Sequence, residues 1–145
     1  MVDQRVAAAR VAAIRDALNR VAQTLPADVE GLATDRTARE VVVLNLFVAL
    51  QESVALAAHW LADDGLHVPD TYREIFLELA DEHRIPPELA RRLAAAAGFR
   101  NLVAHRYGAL DIARVHEIAT IGPGDLLQFC ELASRAAGNA QAPRP

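Results

Sequence analysis

The chain has 145 residues, 52% of them apolar, and a formal net charge of −4 at pH 7. This length supplies apolar material for one domain with one core and leaves little for a second. The acidic balance argues against an extended nucleic-acid surface. Because Cys130 is the only cysteine, an intramolecular disulfide and a cysteine-based metal cluster are excluded, and a reducing cytoplasm is the expected location.

Alanine, leucine, valine, glutamate and arginine dominate, aromatic residues are few, and glycine and proline fall between periodic segments, which predicts an all-α fold. The first residues lack the pattern of a signal peptide. The longest apolar stretch, Val41–Leu61, is interrupted by Gln51-Glu52-Ser53, which would be costly at a bilayer centre. We therefore expect a buried helix of a soluble protein and no membrane span.

A first helix is predicted from about Asp3 to Thr24, because apolar residues recur there at alternating steps of three and four. The stripe consists of Val11, Ile14, Leu18, Val21 and Leu25. Pro26 ends this helix, and a polar connection is expected as far as Asp35.

A second helix, from about Arg36 to Asp63, is apolar on most of its circumference. It must be covered on several sides, by its own domain and by any second copy. Asn45, Glu52 and His59 repeat every seven residues and fall on nearly one line. That line is either a thin exposed stripe, which we favour, or a wall of a functional site.

Pro69-Asp70-Thr71 opens a third predicted helix. Its apolar face comprises Tyr72, Ile75, Phe76 and Leu79. Pro86-Pro87-Glu88 starts a fourth, because proline is tolerated in the first turn of a helix. The fourth helix is expected to run to about Tyr107, with Gly108 terminating it.

Asp111 is expected to cap a short fifth helix. Gly122-Pro123-Gly124-Asp125 then introduces a last helix. A single domain is predicted over residues 1–138, and residues 139–145 are predicted to form a disordered tail.

Residues 100–107 combine several different polar groups, and packing of the core does not account for this combination. Arg100, Asn101, His105 and Tyr107 offer a fixed cation, an amide, a proton carrier and a hydroxyl, the groups needed to handle a phosphodiester. This segment also lies in the one basic part of the chain, since residues 83–114 hold six arginines against two acidic residues. A solvated helix with ordinary salt bridges would give the same bias.

An ideal helix turns by about 100° per residue, which predicts that three apolar side chains face the core. These are Phe99, Leu102 and Val103. Arg100 and Tyr107 then share one flank, while Asn101 and His105 share the back face.

The same back face carries a strip of very small residues: Ala94, Ala97, Gly98 and Ala104. It is either the solvent side of an alanine-rich helix or a contact with another helix, most simply the same strip on a two-fold related copy. Two copies would bring two arginines and two histidines into one cleft.

Such a cleft is suited to ribonucleotide cleavage, because RNA supplies its own nucleophile, the 2′-hydroxyl. His105 would be the base or acid and Arg100 the cation, without a metal. Asn101 would orient the imidazole or bond a phosphate oxygen. The alternative for a lone histidine near an arginine is a structural role at the helix end.

The spacing of Arg100, His105 and Tyr107 closely resembles the motif of the HepT toxins of the HEPN superfamily: arginine, four residues, histidine, one residue, tyrosine. The resemblance covers most of residues 40–135. It includes Asn45-Leu46, Ala49 and Gln51, Pro69–Leu79 with Ile75-Phe76, Phe99-Arg100-Asn101, Asp111, and Asp125–Phe129.

This resemblance implies a HEPN-like antiparallel bundle of about five to six helices that forms a homodimer. It also implies a metal-independent endoribonuclease toxin without a cofactor, with Arg100 and His105 of both subunits in the dimer cleft. The implied partner is a minimal nucleotidyltransferase antitoxin that transfers AMP to Tyr107. The added phosphate would place negative charge and bulk near Arg100.

The chain departs from the family pattern at Ala55, where many relatives carry an acidic residue. Any role of that acid is therefore absent or taken by Glu52. The N-terminal helix and the connection after it, up to about Thr34, are not covered by the resemblance.

A rival hypothesis is a non-catalytic helical subunit that binds a nucleotide or substrate for a partner nucleotidyltransferase. The two hypotheses differ in cleavage, which only the toxin would show. No metal is expected, because the remaining histidines, His59, His67, His83 and His116, lack ligand spacing. Cys130 is expected to be a buried apolar residue and not a nucleophile.

Overall fold

The computed structural model describes residues 2–139, except for the side chains of Ala104, His105 and Asn139. All regular structure in this range is helical, which confirms the predicted all-α bundle. The helices are α1 (Gln4–Thr24), α2 (Val29–Thr34), α3 (Arg36–Asp63), α4 (Tyr72–Asp81), α5 (Pro87–Arg106) and α6 (Ile112–Asn139), with a 3₁₀ turn at Tyr107–Ala109 between the last two. The domain extent of 1–138 stays a prediction, and residues 140–145 of the predicted tail lie outside the described residues.

Side-chain caps begin three of these helices where the sequence predicts them. The carboxylate of Asp3 accepts the backbone N–H groups of Arg5 and Val6 at the start of α1. Asp35 caps α3 and Thr71 caps α4 in the same way. Each cap pairs backbone donors that the first turn leaves without a helical partner.

Helix α3 is the centre of the bundle and packs against every other α-helix, most extensively against α1. Twelve of its 28 residues are buried. By length and composition alone α3 could cross a membrane, but half of its most apolar window is buried inside the bundle. Its hydropathy therefore reflects its central position, as predicted.

An aromatic cluster joins α3, α4 and α6 in the core. The ring of Phe129 meets Phe76 edge to face at a centroid distance of 5.6 Å and lies 6.2 Å from Trp60. All three side chains are at most 3% exposed. Edge-to-face geometry is favourable because the positive edge of one ring meets the negative face of the other.

The polar connection predicted between the first two long helices contains a short helix, α2. Asp28 caps it by accepting the backbone N–H of Gly31 at 2.7 Å. The reason for this helix is tertiary, because it places Leu32 in the core with no exposed surface. Arg39 of α3 then satisfies its end by donating to the carbonyl oxygens of Leu32 and Ala33.

The prediction of two helices after Asp111 is wrong, because α6 continues through Gly122–Asp125 as one helix. Asp111 does cap its start, by accepting the backbone N–H of Ala113 at 3.0 Å. The core residues on both sides of the proline are Val115, Ile118, Ala119, Leu126, Phe129 and Cys130. Their burial on one helical face outweighs the hydrogen bond that Pro123 removes.

We expect Pro123→Ala to raise the free energy of unfolding by about 2 kcal/mol. Proline inside a helix costs about 3 kcal/mol, of which its restriction of the unfolded chain returns about 1 kcal/mol. Chemical denaturation followed by circular dichroism measures the difference. A lower free energy of unfolding for the variant would show that the proline is accommodated without strain.

Candidate functional site

Arg100 lies on α5 against aromatic side chains of two other helices. Its guanidinium carbon is 4.4 Å from the ring centroid of Tyr72 on α4 and 5.6 Å from that of Phe47 on α3. A planar guanidinium is attracted to the negative faces of aromatic rings and can stack on them. These contacts hold the cation in place at the junction of three helices.

The hydrogen bonds of Arg100 leave much of its donor capacity unused. Two of its terminal nitrogens approach the amide oxygens of Gln51 and Asn101 at 3.4 Å each, beyond the usual range for such bonds. Its Nε is buried and has no hydrogen-bond partner among the described residues. Within that same set no carboxylate pairs with it, so Arg100 is a positioned cation suited to a bound anion.

His105 and Asn101 are placed differently with respect to Arg100. Asn101 is exposed and its amide oxygen faces the guanidinium of Arg100. The backbone of His105 lies in α5, about 7.5 Å along the axis from Arg100 at the ideal helical rise. The His105 side chain lies outside the described residues, so its contact with either neighbour stays a prediction.

Tyr107 does not continue the helix that carries Arg100. The backbone of Arg106 leaves helical geometry, with φ −142° and ψ 42°, and a 3₁₀ turn begins at Tyr107. The ideal-helix angle used to place Tyr107 on the flank of Arg100 therefore does not apply. The Tyr107 side chain is 49% exposed.

A cavity of about 350 Å³ lies beside Tyr107. It is lined by Arg39, Val43, Tyr107, Gly108, Leu110 and Ile112. A second arginine, Arg36, is also near: its pKa is raised mainly by the hydrogen bond to Glu40 and the charge of that carboxylate, with a further contribution from Tyr107. Arg36 is neutralised by its ion pair with Glu40 at 2.8 Å, so Arg39 is the cation that lines the cavity together with Tyr107.

Helix α3 connects the surroundings of Tyr107 with those of Arg100. Arg39 and Val43 line the cavity, and Phe47 and Gln51 contact Arg100. These four residues follow one another at steps of four, so they lie along one side of α3 over about 18 Å. The sequence motif alone did not indicate this side of α3.

The strip of small residues on α5 is only partly a surface. Ala94 and Ala97 are each 2% exposed and belong to the interior of the domain. Gly98 and Asn101 remain exposed, and the side chain of Ala104 lies outside the described residues. The expected contact strip for a second copy is therefore corrected to a smaller patch.

Leu102 corrects the predicted core face of α5. It is 45% exposed, whereas Phe99 is 3% exposed and Val103 is partly buried. Leu44 on α3, at 60%, is another large apolar side chain in contact with solvent. Leu102 therefore adds exposed apolar surface two residues from Arg100.

The line of Asn45, Glu52 and His59 belongs to the other side of α3. Glu52 accepts a hydrogen bond from Arg10 of α1 at 2.7 Å and forms an ion pair with it. Asn45 donates to the carbonyl oxygen of Val41 in its own helix, and His59 is exposed beside the groove between α1 and α3. Glu52 thus stabilises helix packing and does not contact Arg100.

Among the described side chains, neither a metal-ligating cluster nor a reactive thiol occurs at this site. In residues 2–139, apart from the three side chains left out, no three histidine, cysteine, aspartate or glutamate side chains are arranged to hold a metal ion. Cys130 is fully buried in α6, which confirms its predicted packing role. Burial raises the pKa of its thiol to about 11, so the reactive thiolate is disfavoured.

Comparison with known sequences agrees with the motif. Residues 14–133 match the family described as Ribonuclease HepT-like. The chain is also similar to the mRNA nuclease HepT of Shewanella oneidensis, with 26% identity over 123 residues that cover 85% of this chain and 92% of that protein.

Solved structures share the fold over nearly the whole chain. The tri-AMPylated HEPN toxin of Shewanella oneidensis, solved in complex with its MNT antitoxin, superposes with a TM-score of 0.82 and 25% identity, covering 90% of this chain and 97% of that one. A toxin–antitoxin structure with AMP-PNP gives a TM-score of 0.83 at 24% identity, covering 90% and 98%.

Proposed function

Because the chain belongs to the HepT-like ribonuclease family, we propose that it is a metal-independent endoribonuclease toxin of a cytoplasmic toxin–antitoxin module. The observation that carries the proposal is the half-buried guanidinium of Arg100, which lies over the ring of Tyr72 and whose Nε has no hydrogen-bond partner among the described residues. A cation held in this way, without a carboxylate partner among the described residues, is prepared to receive a phosphate.

Cleavage would proceed by attack of the substrate's 2′-hydroxyl on the adjacent phosphorus. His105 of one subunit takes the hydroxyl proton, the O2′–P bond forms and the P–O5′ bond breaks. The leaving O5′ receives a proton from a second imidazole, giving a 2′,3′-cyclic phosphate and a 5′-hydroxyl end. Arg100 balances the negative charge that grows on the non-bridging phosphate oxygens, and Asn101 helps to orient the guanidinium of Arg100.

A homodimer supplies the second imidazole in this scheme. The exposed patch around Gly98 and Leu102 supports it, because a side chain added at Gly98 would meet nothing within 4 Å and another helix can approach closely. An isologous contact there repeats the motif across a two-fold axis. Arg100 and His105 of both subunits would then share one cleft.

Neutralisation would occur at Tyr107 by a minimal nucleotidyltransferase antitoxin. The Shewanella oneidensis toxin is tri-AMPylated in its complex with an MNT antitoxin, and the exposed Tyr107 of this chain offers a phenol for the same chemistry. Its oxygen would attack the α-phosphorus of ATP, releasing pyrophosphate and the phenolic proton. The attached phosphate adds negative charge near Arg36 and Arg39.

The test is cleavage of single-stranded RNA in EDTA by wild type and by His105→Ala. Wild type is expected to leave 2′,3′-cyclic phosphate ends, and His105→Ala to lose at least about 10²-fold in rate while still binding RNA, because a general acid–base contributes that much. Glu52→Gln is the matched control and should cleave like wild type, since Glu52 pairs with Arg10 on the other side of α3.

Two outcomes would overturn this function, and one would change the role given to Glu52. Efficient cutting of DNA would contradict attack by a 2′-hydroxyl. Loss of cleavage in Glu52→Gln would show that the Glu52 carboxylate has the role of the acidic residue that many relatives carry where this chain has Ala55. Wild type that is inert on RNA, with Tyr107 unmodified by mass spectrometry, would favour the non-catalytic nucleotide- or substrate-binding subunit of a nucleotidyltransferase complex.

A further inference from the structure

The cavity beside Tyr107 combines an apolar wall with a cation and an exposed aromatic ring. Val43, which is 1% exposed, and the half-buried Leu110 and Ile112 form the wall, and Arg39 lies at its side. Its volume of about 350 Å³ lies at the lower end of the range of ligand pockets. It is therefore suited to one small planar group with a charged substituent.

Arg39 is held so that part of its guanidinium can still donate hydrogen bonds to a bound anion. One terminal nitrogen donates to the carbonyl oxygens of Ala33 at 2.6 Å and Leu32 at 3.3 Å. Its Nε and other terminal nitrogen make no hydrogen bond within the described residues, and no carboxylate there pairs with it. Anchoring by α2 lowers the entropic cost of presenting these donors to an anion.

The position of the cavity relative to Arg100 indicates how a bound strand would run along the surface of the protein. Both lie along the same side of α3, from Arg39 and Val43 to Phe47 and Gln51. A single nucleic-acid strand that places a phosphate on Arg100 could extend along this side toward Tyr107. Aromatic rings bind bases of such strands by stacking, while cations follow the phosphates.

We propose that this cavity is a nucleotide-binding subsite for the RNA strand, with the base against Tyr107 and Val43 and the phosphate on Arg39. The proposal rests on the proposed function, because the strand is the substrate cleaved at Arg100. It also explains how modification at Tyr107 blocks cleavage: an attached adenylyl group occupies the place of a substrate nucleotide.

The test uses a short single-stranded 2′-O-methyl oligoribonucleotide, which lacks the attacking hydroxyl. We expect Gly108→Phe and Arg39→Gln each to raise its Kd about tenfold in fluorescence anisotropy, because the added ring fills the cavity in which the base stacks and the loss of Arg39 removes the phosphate contact. Gly108→Phe is the cleaner variant, since it keeps the contacts of Arg39 with α2. A Cβ at Gly108 meets nothing within 4 Å, and its φ is not positive.

The control is Gly124→Phe, the same substitution at an exposed glycine of α6 with equally open space. It should bind the oligonucleotide like wild type. Unchanged binding in Gly108→Phe, with wild type still cleaving RNA, would overturn the subsite and leave the ribonuclease function intact. Weaker binding in Gly108→Phe, with wild type unable to cleave RNA, would support the subsite and overturn the function.

A second probe, 5′-AMP, separates the two nucleotides that could enter the cavity. If the cavity receives the RNA strand, 5′-AMP competes with the oligonucleotide on wild type, and Gly108→Phe weakens both ligands. Weaker binding of 5′-AMP alone in Gly108→Phe would assign the cavity to the adenylyl group and overturn the assignment to RNA.

Discussion

Arg100→Ala is expected to reduce RNA cleavage by about 10²–10³-fold, the usual cost of losing one charge-stabilising group from a transition state. Binding of RNA should change much less, because other contacts along α3 remain. Arg100→Lys should recover little, since an ammonium cannot reproduce the contact of a planar guanidinium with the ring of Tyr72 or bind a phosphate through two parallel hydrogen bonds. Single-turnover cleavage separates the chemical step from binding.

Arg92→Ala is the matched control for Arg100. Arg92 lies on the same helix, is exposed and pairs with Asp125 of α6 at 2.9 Å. Its removal should cost less than about 1 kcal/mol of stability and leave cleavage unchanged. Equal losses of activity in both variants would show that overall positive charge, and not the placement of Arg100, supports cleavage.

Phe129→Ala is expected to lower the free energy of unfolding by about 3–5 kcal/mol, because it removes a fully buried ring and leaves a cavity. Phe129 contacts aromatic rings of both α3 and α4, so neither neighbour can close the space alone. Urea denaturation followed by circular dichroism measures the change. Phe129→Leu, expected to lose about 1–2 kcal/mol, keeps the comparison measurable if the alanine variant does not fold.

Ile121→Ala provides the comparison on the same helix. Ile121 is 59% exposed, so its truncation should change the free energy of unfolding by less than about 0.5 kcal/mol. Similar effects at positions 121 and 129 would contradict the orientation of α6 described above. A large effect at 121 alone would indicate that this side chain is covered by another chain.

Local signals in the sequence predicted α1 and α3 with their limits, and the starts of α4 and α5. The caps Asp3, Asp35 and Thr71 act within one turn of the chain, so they can be recognised without knowing what packs where. Packing decided α2 and the continuity of α6. Burial of Leu32 and of the core face on both sides of Pro123 depends on partner helices distant in the chain, which no local pattern contains.

The sequence by itself determined the helical class and the chemical inventory of the site: the order and spacing of Arg100, His105 and Tyr107. The tertiary structure decided how those groups are presented. Only packing places the guanidinium of Arg100 over the rings of Tyr72 and Phe47, with its Nε unpaired among the described residues, and only the 3₁₀ turn places Tyr107 beside Arg39. The physical reason is that residue types and caps act along the chain, whereas burial, stacking and cavities arise between helices joined only by folding.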